Sequence, residues 1–237
     1  MKELLSDIRQ TLQDYVDPQN IVVSSRFFKG DEQPKEYGVS KEILNKIGKE
    51  LFNDLKTKPK EEIYSLCQEL WKSLYFEEAY IACIITKRLH RHYEATDMKY
   101  FGLWLNKYVQ SWADCDTLCC STIGPLFIKY PLEIEQLTLW ATSPNRWMRR
   151  GAAVSLVVPA RKGLYLEKVF ELAILLMKDE DDLVQKGTGW MLKEASKSHQ
   201  AEVYEFIMQY KVVMSRTTLR YAIEKMPLDL KAEAMKK

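Results

Sequence analysis

Two carboxylates, Asp114 and Asp116, stand beside the indole of Trp112 in the stretch Ser111-Trp112-Ala113-Asp114-Cys115-Asp116, ahead of the apolar run Leu118 to Ile128. The chemistry on offer is that of an acid next to an aromatic face. Its ordinary use is structural: a helix is expected to begin here, and either Asp114 or Asp116 can cap it by accepting from a free backbone N–H. A functional reading needs further signals from other parts of the chain.

One such signal is a local excess of cations. From Ser143 to Leu166 the chain carries Arg146, Arg149, Arg150, Arg161 and Lys162 and no acid, and a second group follows at Lys186, Lys193, Arg216 and Arg220. Side chains of this kind, together with helix N-termini, can hold a phosphate backbone, or they can form a solvated helical face. Trp112, Trp147 and Trp190 accompany these segments, and an indole beside basic groups offers a surface on which a base or sugar packs. Trp147 occupies an apolar register position and is expected in the core.

Other chemistries find no support. His90 and His92 lie two apart on an expected helix and point to different faces, and His199 stands alone, so no metal site is expected. Neither a G-x-x-x-x-G-K-[ST] loop nor a G-x-G-x-x-G fingerprint occurs, and no cofactor is expected. Cys119 and Cys120 sit in an apolar run and read as small packed hydrophobes. The five cysteines are odd in number and contain no C-x-x-C pair, which points to a reduced chain. What survives is a carboxylate among aromatics and cations.

The elements that must position these residues are helical and periodic. A short pattern, a bulky residue, two variable residues and then small or basic ones, starts at Phe76, Trp112, Trp147 and Leu183, with steps of 36, 35 and 36 residues. A nearly constant step of that size is the mark of stacked helical units, none of which buries its apolar face alone. Stacked helices sit roughly 8–10 Å apart, so Asp116, Arg150 and Lys186 fall at comparable places in successive units. The spacing predicts helices over Leu4 to Val16 and Ile21 to Phe28, a polar loop from Gly30 to Gly38, and a helix capped by Ser40 with the stripe Ile43, Ile47, Leu51 and Leu55. Helix breaks are expected at Lys58-Pro59, Thr96-Asp97, Tyr130-Pro131, Ser143-Pro144, Lys162-Gly163 and Asp179 to Asp182, with Pro159 inside or at the end of a helix. No alternating run bounded by hairpin dipeptides appears, so the class is all-α.

Composition agrees with a folded chain. The 237 residues are 46% hydrophobic and 29% charged, ample for a substantial core, and the net charge of +2 leaves any basic footprint local. Nothing resembles a signal peptide, and no apolar run approaches the roughly 18 residues of a membrane span. A protein of the bacterial cytosol or nucleoid is expected, with no membrane partner.

The stretch Ser111-Trp112, then Asp116-Thr117-Leu118, Gly124, Phe127, Lys129 and Pro131, resembles the catalytic helix of the AlkD-like DNA alkylation repair family, with the same four-residue interval from Trp112 to Asp116. Trp147-x-x-Arg150 and Gln185-Lys186-x-x-Gly189-Trp190 are similar to its next two motifs, and Arg26-Phe27 to its Arg-Tyr pair. The resemblance implies one domain, residues 1–237: a right-handed solenoid of HEAT-like helical pairs whose concave face grips duplex DNA, acting as a monomer without metal or cofactor. It implies a glycosylase that excises cationic N3- and N7-alkylated purines, with Asp116, Trp112 and Trp190 as catalytic residues. Arg150, Phe27, Arg149, Lys186 and Arg146 would contact the DNA.

The physical fit of that implication is direct. An N-alkylated purine is already a cationic leaving group, so the site need only stabilise the developing positive charge on the sugar, which a carboxylate and aromatic faces do. In that family the damaged base is not drawn into a pocket, unlike the common flipping mechanism. Ala113 stands in place of a second Trp and Asp182-Leu183 in place of a Phe pair, and these departures suit a second expectation: a non-catalytic HEAT-repeat protein that binds branched or damaged DNA, or a protein scaffold.

Overall fold

Helix starts follow side-chain caps. In the computed structural model, which describes residues 1–29 and 32–236, Asp17 accepts from Gln19 N ahead of Pro18, Ser40 from Ile43 N, Ser111 from Asp114 N, Asn145 from Trp147 N, Asp181 from Leu183 N and Val184 N, and Ser215 from Thr218 N. Each cap satisfies a backbone donor that the first helical turn leaves unpaired.

Two compact units divide the chain, Met1–Thr122 and Ile123–Lys237. The first contains α1 (Lys2–Asp14), α2 (Pro18–Ser25), α3 (Lys41–Leu55), α4 (Lys60–Lys72), α5 (Phe76–Arg88), α6 (Met98–Lys107) and α7 (Trp112–Leu118). The second contains α8 (Gly124–Lys129), α9 (Gln136–Ala141), α10 (Arg146–Val154), α11 (Val157–Arg161), α12 (Leu166–Leu176), α13 (Asp182–Ala195), α14 (Gln200–Tyr210), α15 (Arg216–Ala222) and α16 (Leu228–Met235). No strand ladder forms among the described residues; one isolated bridge joins Lys35 and Tyr75. The protein is all-α.

The sequence pattern marks helix starts. Phe76 and Trp112 are the first residues of α5 and α7, while Trp147 and Leu183 are the second residues of α10 and α13. Within each unit, side chains bond across about one step of that pattern: Lys60 to Asp97 and Thr86 to Thr122 in the first, Arg161 to Glu194 and Thr218 to Gln185 in the second. Such bonds arise when consecutive helical units of similar length lie side by side.

An aromatic cluster fills the first unit. Trp71 and Trp104 stack with ring centroids 6.2 Å apart, Tyr64 and Phe101 also pack against Trp104, and the Tyr64 hydroxyl donates to Asp97 at 3.0 Å. In the second unit α13 packs against α10, α11, α12 and α15. Gly189 permits the last of these contacts, because a Cβ there would lie 2.4 Å from Tyr221 Cβ and 2.7 Å from the Thr218 carbonyl oxygen.

Several expectations shift. The second helix is Pro18–Ser25 rather than Ile21 to Phe28, because Asp17 and Pro18 form a cap and first turn. The apolar run Leu118 to Ile128 is helical throughout, but a π turn over Cys119–Ile123 separates α7 from α8, which begins at Gly124 ahead of Pro125, a residue without the N–H that an interior helical position uses. His90–His92 form a 3-10 turn. Of the expected polar loop, Gly30 and Asp31 lie outside the described residues. Cys119 is buried as expected, while Cys120 is partly exposed. Pro159 lies inside α11.

Candidate functional site

At the start of α7 the two carboxylates divide their roles. Asp114 Oδ2 accepts from Ser111 N at 3.1 Å, Ser111 Oγ at 2.9 Å and Gln110 N at 3.3 Å, while Ser111 Oγ accepts from Asp114 N at 3.2 Å. This is a reciprocal capping box, so Ser111 and Asp114 together, not Asp116, fix the helix start. Asp114 is 5% exposed. Burial pushes its carboxyl up to about 6, against the opposing pull of its bonds to Ser111 and Gln110.

Asp116 lies outside this capping box. It lies four residues after Trp112, so the two side chains share one face of α7. Both are partly exposed.

Trp112 is also stacked on Phe28, with ring centroids 5.3 Å apart and planes 28° from parallel. Both rings line a cavity of about 340 Å³ in the first unit, bounded by α2, the segment from Pro34 to Lys41, and the starts of α5 and α7. Phe27 lines the same cavity and is 67% exposed. Sequence reasoning selected Phe27 and missed Phe28. Only the curl of the chain after α2 decides which of two adjacent rings meets the indole.

Glu77 was also missed. It is buried, and its two oxygens accept from Tyr37 N at 3.0 Å, Gly38 N at 2.8 Å and Val39 N at 3.1 Å, which holds the cavity's loop in place. Burial raises its carboxyl, with those three backbone donors opposing. In sequence Glu77 and Glu78 are ordinary first-turn acids of α5, where negative charge favours a helix start, so no local signal marks them. Glu78 is likewise buried and takes a bidentate bond from Arg9 at 3.0 and 3.1 Å and one from the Tyr37 hydroxyl at 2.9 Å.

The second unit carries the cations. Arg146 grips Asp181 through Nε at 2.7 Å and Nη2 at 3.0 Å, with its guanidinium 5.0 Å from the Trp147 ring centre. Arg149 pairs with Asp179 at 2.6 Å and donates to the carbonyls of Ser143 and Pro144. Arg150 is only 5% exposed and donates to the Leu183 carbonyl. Lys186 pairs with Asp182 at 2.6 Å. The acid-free stretch in sequence is therefore supplied with acids by the segment that leads into α13. Trp147 is packed in the core, as expected.

Trp190 is partly exposed, and its Nε1 donates to Glu194 at 3.3 Å. Glu194, almost fully buried, also takes Arg161 Nε at 2.5 Å and Lys197 Nζ at 2.7 Å. Burial alone would raise this carboxyl, but the two cations outweigh it and hold it below the usual carboxylate range. No group of three or more His, Cys, Asp or Glu side chains is arranged to hold a metal among the described residues. Among those residues no helix is long and apolar enough to cross a membrane.

Residues 8–226 match the family described as DNA alkylation repair enzyme. The fold is similar to a solved structure described as "Predicted DNA alkylation repair enzyme from Enterococcus faecalis", with a TM-score of 0.78 and 18% identity, over 90% of this chain and 97% of that one. Comparison with curated proteins gives no match. Fold and family together define an all-α DNA-repair protein. The chain belongs to the DNA alkylation repair enzyme family.

Proposed function

We propose that the protein is a DNA glycosylase that removes cationic N3- and N7-alkylated purines from duplex DNA, with Asp116 as the carboxylate that stabilises positive charge on the sugar. The observation that carries this reading is the division of labour on α7: Asp114 caps the helix, whereas Asp116 shares a partly exposed face with Trp112. An ionised carboxylate there lowers the energy of an oxocarbenium-like sugar and positions water, and the indole face adds cation–π attraction. No strong acid is needed, because the leaving base already carries its charge. Trp190, Phe27, Arg146, Arg149 and Lys186 would contact the DNA, whereas Arg150, almost fully buried, would hold α13 through the Leu183 carbonyl. The test is release of N7-methylguanine from methylated duplex DNA. Release by the natural chain and loss of release in Asp116→Asn, with DNA binding kept, supports the reading; equal release by both proteins removes Asp116 from it.

The pairing of Arg146, Arg149 and Lys186 with Asp181, Asp179 and Asp182 favours a second reading. Cations already neutralised release fewer counterions on meeting phosphate, which suits a non-catalytic repair protein that binds branched or damaged DNA, or a protein scaffold. Salt-sensitive DNA binding without base release would select the first of these, and absence of DNA binding the scaffold.

A further inference from the structure

Glu194 lies on α13 four residues after Trp190, on the same face of the helix. Its two oxygens have different partners. Oε2 takes Arg161 Nε at 2.5 Å and Lys197 Nζ at 2.7 Å, while Oε1 takes the Trp190 indole N–H at 3.3 Å. The Glu194 side chain is 4% exposed, whereas those of Arg161 and Lys197 are 51% and 42% exposed.

Ion pairing alone does not require that burial. Two half-exposed cations gain little from a carboxylate that water could replace. The end of α11 is also tied to the chain after α13 by other bonds: Ser198 Oγ donates to the Arg161 carbonyl at 3.2 Å, and His199 Nε2 lies 3.0 Å from the Gly163 carbonyl oxygen. What burial adds is a penalty for leaving Oε1 without a donor. Burial favours the neutral carboxyl, but Arg161 and Lys197 outweigh it and keep the group charged, which makes Oε1 a strong acceptor. An indole offers a single donor and no acceptor. Turning the ring to another rotamer would strip a desolvated, charged oxygen of its bond, so the partly exposed ring is held in one orientation.

We propose that Glu194 is a positioning residue: through the indole N–H it fixes the Trp190 ring in the orientation in which that ring meets DNA. Contact between Trp190 and DNA rests on the repair reading above; the lock on the indole does not.

The test is NMR of the full chain with nitrogen-15 in its tryptophan indoles. Duplex binding and base release from methylated duplex are measured in parallel, and melting curves establish that each variant is folded. Trp190→Phe identifies the resonance by its loss. In the natural chain this N–H is expected to exchange with water about tenfold or more slowly than a free indole; exchange at the free rate overturns the lock without any change at Glu194. Glu194→Met keeps the length of the side chain and removes both oxygens, so it should move the resonance and abolish its protection. Lys197→Met, which removes a partner of Oε2 alone, should do neither. Duplex affinity should fall roughly tenfold in Glu194→Met, the scale of one lost stacking contact, and should fall no further when Glu194→Met is added to Trp190→Phe. Losses that add, an unmoved resonance, or a moved resonance with unchanged duplex affinity each overturn the positioning role. Coupled loss of binding, with no base release by the natural chain, supports the role of Glu194 and removes the glycosylase reading. Base release that depends on Asp116 and is indifferent to Glu194→Met does the reverse.

Discussion

Ser111 and Asp114 hold each other across the first turn of α7, each side chain bonded to the other's backbone N–H. Because the carboxyl is buried, its proton affinity in the folded chain exceeds that in the unfolded one. The rise from an ordinary 3.8 to about 6 corresponds to roughly 3 kcal/mol. The folded state therefore binds the extra proton between about pH 4 and 6. The contribution to stability is fully present below the ordinary value and is lost as pH rises through the folded one. Melting of the natural chain and of Asp114→Asn across pH 4 to 7 should show the natural chain's advantage shrinking, or its deficit growing, as pH rises. A pH-independent gap would contradict this account.

Removing the cap oxygen in Ser111→Ala should cost about 1 kcal/mol from the lost helix cap, and more because Asp114 loses a donor. Urea unfolding gives the number directly. A change below a few tenths of a kcal/mol would mean that α7 starts without help from this residue.

Asp116→Asn keeps the side chain's shape and removes its charge. In the glycosylase reading, base release should fall by about 100-fold or more, the scale seen when a preorganised electrostatic group is lost. DNA affinity measured by fluorescence anisotropy should change by less than about threefold, since the charge acts on the transition state and not on the bound duplex.

Asp182 is 53% exposed at its side chain and pairs with Lys186 one turn away. Such a pair adds little to stability, so Asp182→Asn should leave the melting temperature almost unchanged. It frees one cation, and the slope of log affinity against log salt for duplex DNA should steepen by about 0.9. An unchanged slope would exclude Lys186 from phosphate contact.

Gly189→Ala drives a methyl group into the backbone of α15, where no flexible side chain can yield. A loss of about 2 kcal/mol and a melting temperature lower by about 5 °C are expected. Gly187→Ala is the control: its nearest neighbours are side-chain atoms of Val154 and Arg150 at 3.3 and 3.4 Å, which can give way, so its loss should be clearly smaller.

Local chemistry made much of this fold legible from the sequence. Ser40 announces a helix start because a hydroxyl at that place satisfies a backbone N–H within its own turn, and the start of α7 was legible too, though its cap is Ser111 and not Asp114 or Asp116. Pro131 and Gly163 announce breaks for equally local reasons, a missing donor and a positive φ of 76°. The step of about 36 residues emerged because its four positions fall at the first or second residue of α5, α7, α10 and α13. The interval from Trp112 to Asp116 likewise places acid and indole on one helical face before any coordinate is known.

Partnership between distant side chains was not so encoded. Nothing local shows that Arg149 meets Asp179 thirty residues away, or that Arg146 meets Asp181, so a stretch without acids read as a basic face. Nor does the order Phe27-Phe28 reveal which ring reaches Trp112. Burial decided the rest: Glu77 and Asp114 look like ordinary surface acids in sequence, and only the packing of α5 and α7 removes their solvent and leaves backbone N–H groups to replace it. A helix start is set by atoms a few residues apart, whereas charge pairing and desolvation depend on which segments the fold brings into contact.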